Sequence, residues 1–185
     1  MFRLFLSMIV FSICVYAQEK PFFQANEQQP YHLSIGAVLF NQNGEIACHY
    51  FDQVFGHKDI YILMRESMEN GETPLMTLQR GLQEEFGATA EPVAFLGSLS
   101  GYLPYSDFPF NKTTLYIVCR LVNWSPENRD PNDPESNSEI HWLKPEELIE
   151  HMKAQGTRFN QSVDADESEV VRRALPYILS SKRAF

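Results

Sequence analysis

Glu84 and Glu85 are adjacent carboxylates near the end of a periodic apolar stretch, and Gly81 stands three and four residues before them. On a helix, positions at these spacings share a face, so Gly81, Glu84 and Glu85 fall together beside the apolar stripe. Neighbouring carboxylates repel unless something pairs them, and oxygen donors clustered on a helix turn suit a hard cation such as Mg²⁺. The plainer alternative is a solvated acidic pair, with Arg80 bridging Glu84 one turn away. Other chemistries lack their residues. There is no Cys-x-x-Cys or His-Glu-x-x-His spacing for zinc, and the five histidines are scattered. Gly97-Ser98-Leu99-Ser100-Gly101 has the outer glycines of a nucleophile elbow but leucine where the serine must be.

The element carrying the pair is defined at both ends. Thr73 can cap free backbone N–H groups, Pro74 suits the first helical position, and Gly87 supplies a left-handed stop, which predicts a helix over 74–86. Leu75, Leu78, Leu82 and Phe86 are expected to form its buried face. Before it, 32–41 and 45–51 read as strands joined at Asn43-Gly44 into a hairpin, and 59–65 as a third strand. After it, 93–103 and 113–124 read as strands around an aromatic, proline-containing loop. The segment 125–138 is a proline-punctuated polar loop, 140–143 a short strand, and Pro145 opens a helix to about Lys153. A last helix covers 167–180, with Pro176 expected to kink or break it. Strands interleaved with single helices indicate an α/β sandwich.

The segment from Glu66 to Ala88 resembles the Nudix box, with Glu72, Arg80, Leu82, Glu84, Glu85, Gly87 and Ala88 in register and Gly71 completing the common Gly-Glu pair. The likeness extends loosely over residues 32–153 and implies the Nudix fold, a mixed β-sheet sandwiched between α-helices. It also implies Mg²⁺- or Mn²⁺-dependent hydrolysis of a pyrophosphate bond in a small nucleotide-linked substrate. Two positions depart from the pattern: Glu66 stands where the family has its opening glycine, and Gly81 where it has the glutamate after arginine. One reading is lost catalysis, leaving a nucleotide-binding or sensor domain. The other is compensation, with the Glu66 carboxylate reaching into the space a Gly81 side chain would fill. The resemblance makes Glu84 and Glu85 metal ligands, Glu66 a further ligand or base, and Arg80 and Glu72 a structural ion pair. It also makes Glu135 and Glu139 reserve candidates for a base in a loop before the last strand, with Glu139 taken into the catalytic set. Lys58, Arg65 and Lys112 are candidate phosphate contacts, and Tyr102, Tyr105, Phe108 and Phe110 candidate base-stacking residues, each with an ordinary surface or packing role as its alternative.

The chain has 185 residues and a formal charge of −9, which disfavours nonspecific binding to nucleic acid or anionic lipid and requires a cation to mediate any polyanionic substrate. Arg3 followed by the uncharged stretch Leu4–Ala17 reads as a secretory signal cut after Ala17, because about 21 Å of helix falls short of the ~30 Å hydrocarbon core. The expectation is an exported single domain over 18–185, without stable membrane association after cleavage and compatible with a homodimer. Cys14 leaves with the signal. Cys48 and Cys119, both in apolar strand-like runs, form either a disulfide or two buried thiols. Asn111-Lys112-Thr113, Asn123-Trp124-Ser125 and Asn160-Gln161-Ser162 match the glycosylation sequon, which matters only after passage through an endoplasmic reticulum.

Overall fold

A computed structural model describes residues 23–54, 56–103, 109–159 and 165–181; the expected signal at 1–17 and the Asn160 sequon lie outside them. In chain order the elements are β1 (Tyr31–Phe40), β2 (Ile46–Val54), β3 (His57–Ile62), β4 (Met64–Ser67), α1 (Pro74–Phe86), β5 (Ala88–Leu103) and β6 (Phe110–Trp124). A 3₁₀ turn at Pro126–Asn128 follows, then β7 (Glu139–Leu143), α2 (Pro145–Arg158) and α3 (Ser168–Ser181).

The sheet is mixed. β1 runs parallel to β6 along its whole length, from Tyr31 opposite Asn111 to Phe40 opposite Arg120. β4 pairs antiparallel with β1, and β5 antiparallel with β6. β1 and β2 form the expected turn but keep only the Phe40–Ile46 pair, after which β2 diverges to pair with β3 and β7. The single strand expected over 59–65 is two, separated at Leu63. There the Leu63 N–H, released from any ladder, is taken by the Glu167 carboxylate at 2.8 Å. The helix at Pro145 runs a turn beyond its expected end, and α3 continues through Pro176 without interruption.

Alternation along β1 explains the layers. Ile35, Ala37 and Leu39 join Leu78, Leu82 and Phe86 of α1 in one core, while Val38 and Phe40 join Leu148, Met152, Val171 and Ile178 of α2 and α3 in the other. A strand buried on both faces reads as a continuous apolar run, as 35–40 does. Cys48 and Cys119 are free and divided between these cores, Cys48 toward α2 and α3 and Cys119 toward α1. Among the described residues no helix is long and apolar enough to cross a membrane.

Candidate metal centre

α1 begins and ends where the sequence indicates. The Met76 N–H donates to Thr73 Oγ1 at 3.3 Å, and Gly87, at φ 62°, stops the helix with its N–H on Gln83 O. The buried face differs from the expected stripe. Leu75 is 51% exposed, and the buried positions are Thr77, Gly81 and Glu85 alongside Leu78, Leu82 and Phe86. The stripe is therefore rotated toward β4 and β2, and the row Thr77, Gly81, Glu85 faces the sheet.

Gly81 is glycine because β4 lies against it. A Cβ there would stand 2.5 Å from Glu66 Cβ, 3.1 Å from Glu66 Cγ and 2.9 Å from Met64 Sδ. Glu66 thus fills the space that a side chain at 81 would need. Its carboxylate turns along the helix to Arg80 Nη1 at 3.1 Å and accepts the Ser67 N–H at 2.7 Å.

Arg80 gathers the acids around it. Its Nε and Nη2 hold the two oxygens of Glu72 at 2.8 and 2.9 Å, its Nη1 reaches Glu84 at 3.2 Å, and Nη2 also donates to Ser67 O. Glu72 accepts from the Glu69 N–H and the Thr77 hydroxyl as well, so the loop before α1 is tied to its first two turns. The hydrogen bonds from Arg80 hold the Glu72 carboxyl down at about 2.

A third element completes the cluster. The chain after β6 turns over the end of α1, held by Ser125 N–H on Gly87 O and Asp130 N–H on Glu84 O, both at 2.9 Å. This loop delivers Asp133. Ligand oxygens of Glu66, Glu84 and Asp133 lie within 4.8 Å of one another, in a half-buried position. Three carboxylates from a strand, a helix and a loop are an all-oxygen donor set of the kind that Mg²⁺ and Mn²⁺ take, so the residues fit a hard divalent ion.

Glu85 lies behind this cluster rather than in it. It is 2% exposed, with Oε2 2.7 Å from His49 Nε2. Burial, and then the charges of Glu66 and Asp133, push its carboxyl well above the usual range. Burial also raises Glu66 against the opposing pull of Arg80. Burial likewise lowers His49 to about 4 and keeps the imidazole neutral.

Of the two reserve acids, Glu135 is half-buried, and burial followed by the charges of Glu85 and Asp133 raises it to about 7. Glu139 opens β7, is 76% exposed and pairs with His141 at 3.1 Å, away from the cluster. Arg65 points from the other face of β4, 3.8 Å from Glu167. Lys58 is exposed on β3, and Lys112 lies on β6 opposite His32. Phe110 packs its ring against His32 at 5.6 Å. Tyr102 belongs to β5, while Tyr105 and Phe108 lie outside the described residues.

Sequence reasoning missed Asp133 and His49. Asp133 is one acid among many in a polar loop far along the chain, and only the docking of that loop on Glu84 O singles it out. His49 left a signal: a histidine in the apolar run 46–51 must find polar partners once the strand is buried.

The NUDIX domain model matches residues 30–164, and the chain belongs to this family. In structure the chain is similar to a NUDIX hydrolase from Nitrosomonas europaea, with a TM-score of 0.53 and 14% identity over 82% of this chain and 88% of that one. No curated protein matches the chain in sequence.

Proposed function

We propose that the chain is a hydrolase that uses Mg²⁺ or Mn²⁺ to split the diphosphate linkage of a small nucleotide-linked or related organic pyrophosphate. The observation that carries this reading is the convergence of Glu66, Glu84 and Asp133 within 4.8 Å, with Gly81 leaving the space that Glu66 occupies. The family pattern places a carboxylate on the helix; here Glu66 of the strand, whose Cβ and Cγ fill the space beside Gly81, contributes one to the cluster.

The protein's part is to hold and to move a proton. Glu66, Glu84 and Asp133 would hold the ion, with Glu85 buried behind them on α1 against His49. The ion would neutralise phosphate charge and orient water and leaving group. Arg80, donating to both Glu66 and Glu84, keeps their oxygens convergent. Glu135, half-buried and poised at about 7, is the group suited to take the proton as water oxygen bonds to phosphorus and the bridging P–O bond breaks. The uncharged stretch after Arg3 supports export, which N-terminal sequencing of the mature protein would test by a start at Gln18.

The functional test is turnover of ADP-ribose, dinucleoside polyphosphates and nucleoside triphosphates by the purified protein with Mg²⁺ or Mn²⁺. Release of phosphate-containing products that disappears in Glu84→Gln supports the hydrolase. Tight nucleotide binding without turnover establishes a binding or sensor domain instead.

A further inference from the structure

Behind the acidic cluster, four side chains are joined in series between the acidic loop and α1. Arg129 Nη2 donates to Ser138 Oγ at 3.0 Å, Ser138 Oγ lies 2.7 Å from His49 Nδ1, and His49 Nε2 lies 2.7 Å from Glu85 Oε2. Ser138, His49 and Glu85 are all buried. Arg129 also holds the loop's own backbone, donating to Glu135 O at 2.8 Å and Ser138 O at 2.9 Å. The His49 ring is wedged between Phe86, at 4.7 Å, and Phe51, at 6.1 Å, so its plane is set by packing.

The polarity of this series follows from what each group can do. A guanidinium only donates, so one lone pair of Ser138 Oγ is occupied and its single proton needs an acceptor. Among the described residues the acceptor within hydrogen-bond distance of it is His49 Nδ1, at 2.7 Å. If Nδ1 carried the proton instead, the Ser138 hydroxyl hydrogen would be left buried against another donor, at a cost of about 1–3 kcal/mol. The arrangement that satisfies every member runs Arg129 to Ser138 to Nδ1, leaving the proton on Nε2 to donate to Glu85.

We propose that His49 is a positioning residue for the metal centre, locked by Arg129 and Ser138 as the Nε2–H tautomer so that it fixes the Glu85 carboxylate and couples α1 to the loop carrying Asp133 and Glu135. It rests on the hydrolase reading for its purpose, but its polarity can be measured without metal. The series joins Glu85 to that loop through consecutive side-chain hydrogen bonds. Hydrogen-bonded groups that support a metal centre from behind its ligands commonly contribute about 10–100-fold to metal affinity, and His49 would act through Glu85, the α1 neighbour of the ligand Glu84.

The deciding experiment has two arms on the full mature chain. The first is a ¹⁵N spectrum of metal-free protein near neutral pH, in which His49 should show a pyrrole-type Nε2 and a pyridine-type Nδ1. The Nδ1–H tautomer or an imidazolium overturns the relay whatever the protein does with metal. The second is Mn²⁺ binding followed by electron paramagnetic resonance. His49→Phe, which keeps the ring packing but cannot bridge, should weaken Mn²⁺ binding by about 10–100-fold. His49→Gln, able to donate to Glu85 and accept from Ser138, should recover most of that loss. Ser138→Ala is the gentler variant should His49→Phe not fold, and should also weaken binding. Wild-type Mn²⁺ affinity in folded His49→Phe or Ser138→Ala refutes the positioning role. Failure of the wild-type protein to bind Mn²⁺ refutes the metal centre itself and this role with it, while the nitrogen spectrum still decides the tautomer.

Discussion

Introducing a side chain at Gly81 tests whether Glu66 and Gly81 are one structural unit. In an ordinary helix interior, glycine to alanine stabilises by about 1 kcal/mol. Here the new Cβ would meet Glu66 Cβ at 2.5 Å, an atom fixed to the β4 backbone, Glu66 Cγ at 3.1 Å, and Met64 Sδ at 2.9 Å, the flexible part of a thioether. Forcing a methyl into such a site costs about 1–3 kcal/mol. Gly81→Ala should therefore be neutral to destabilising by about 2 kcal/mol, the clash less the propensity gain. In a Glu66→Gly background both Glu66 atoms are gone and only the sulfur must move, so the same Gly81→Ala change should stabilise, by up to about 1 kcal/mol. The sign reverses, giving a coupling of about 1–3 kcal/mol in the four-protein cycle. Urea unfolding of wild type, both single variants and the double variant measures it. Effects that add to within about 0.5 kcal/mol would show that strand and helix do not compete for this space. The activity counterpart is Glu66→Gly with Gly81→Glu, which moves the carboxylate from strand to helix and should retain turnover that Glu66→Gly alone loses.

Glu84→Gln and Asp133→Asn should each weaken Mn²⁺ binding and abolish measurable turnover, whereas Glu139→Gln, altering an exposed acid paired with His141, should leave both unchanged. Turnover should rise with pH through a limb at or below about 7, since Glu135 must lose its proton and a bound cation can only lower its value; loss of that limb in Glu135→Gln is the check. Glu72 is depressed when folded, from an ordinary 4.5 to about 2, so its contribution is complete above about 4.5 and is lost as pH falls toward 2. Glu72→Gln should cost about 1–2 kcal/mol near neutrality, discounting for solvent, and flatten the acid limb of the stability profile. Cys48 and Cys119, on opposite faces of the sheet with thiols raised by burial, should resist alkylation until the protein unfolds, and reductant should leave the melting temperature unchanged.

The local parts of this architecture were legible because local rules govern them. Thr73, Pro74 and Gly87 set the ends of α1 at the residues expected, since capping depends on groups within one turn. Which face of that helix is buried was not legible, because Leu75 and Gly81 are assigned by the neighbouring strand and not by hydrophobicity. The divergence of β2 from β1 is likewise a choice between partners, β7 and β3, that lie far along the chain or beyond a turn. Glu66 and Gly81 were readable as a pair only through the family pattern, which records what spacing alone cannot: that this strand end touches this helix face. Asp133 had no such record. Its place depends on two backbone hydrogen bonds that fold a polar loop over the end of α1.

The electrostatics distinguish this group of acids from a solvated face. Glu66 comes from β4, Glu84 and Glu85 from α1, and Asp133 and Glu135 from the loop, so each is brought in by packing that its own charge opposes. The cations beside them do not balance the group. Arg80 is shared among Glu72, Glu66 and Glu84, and Arg129 is engaged with backbone carbonyls and Ser138. The upward shifts at Glu66, Glu85 and Glu135 all begin with burial and are reinforced by another carboxylate of the same cluster. Such a deficit is relieved either by taking up protons or by admitting a multivalent cation, and all-oxygen donors at this spacing favour a hard ion. A fold stabilised only for its own sake would gain by replacing these buried acids with apolar side chains, so their convergence in one place is what supports the proposed cation-dependent function.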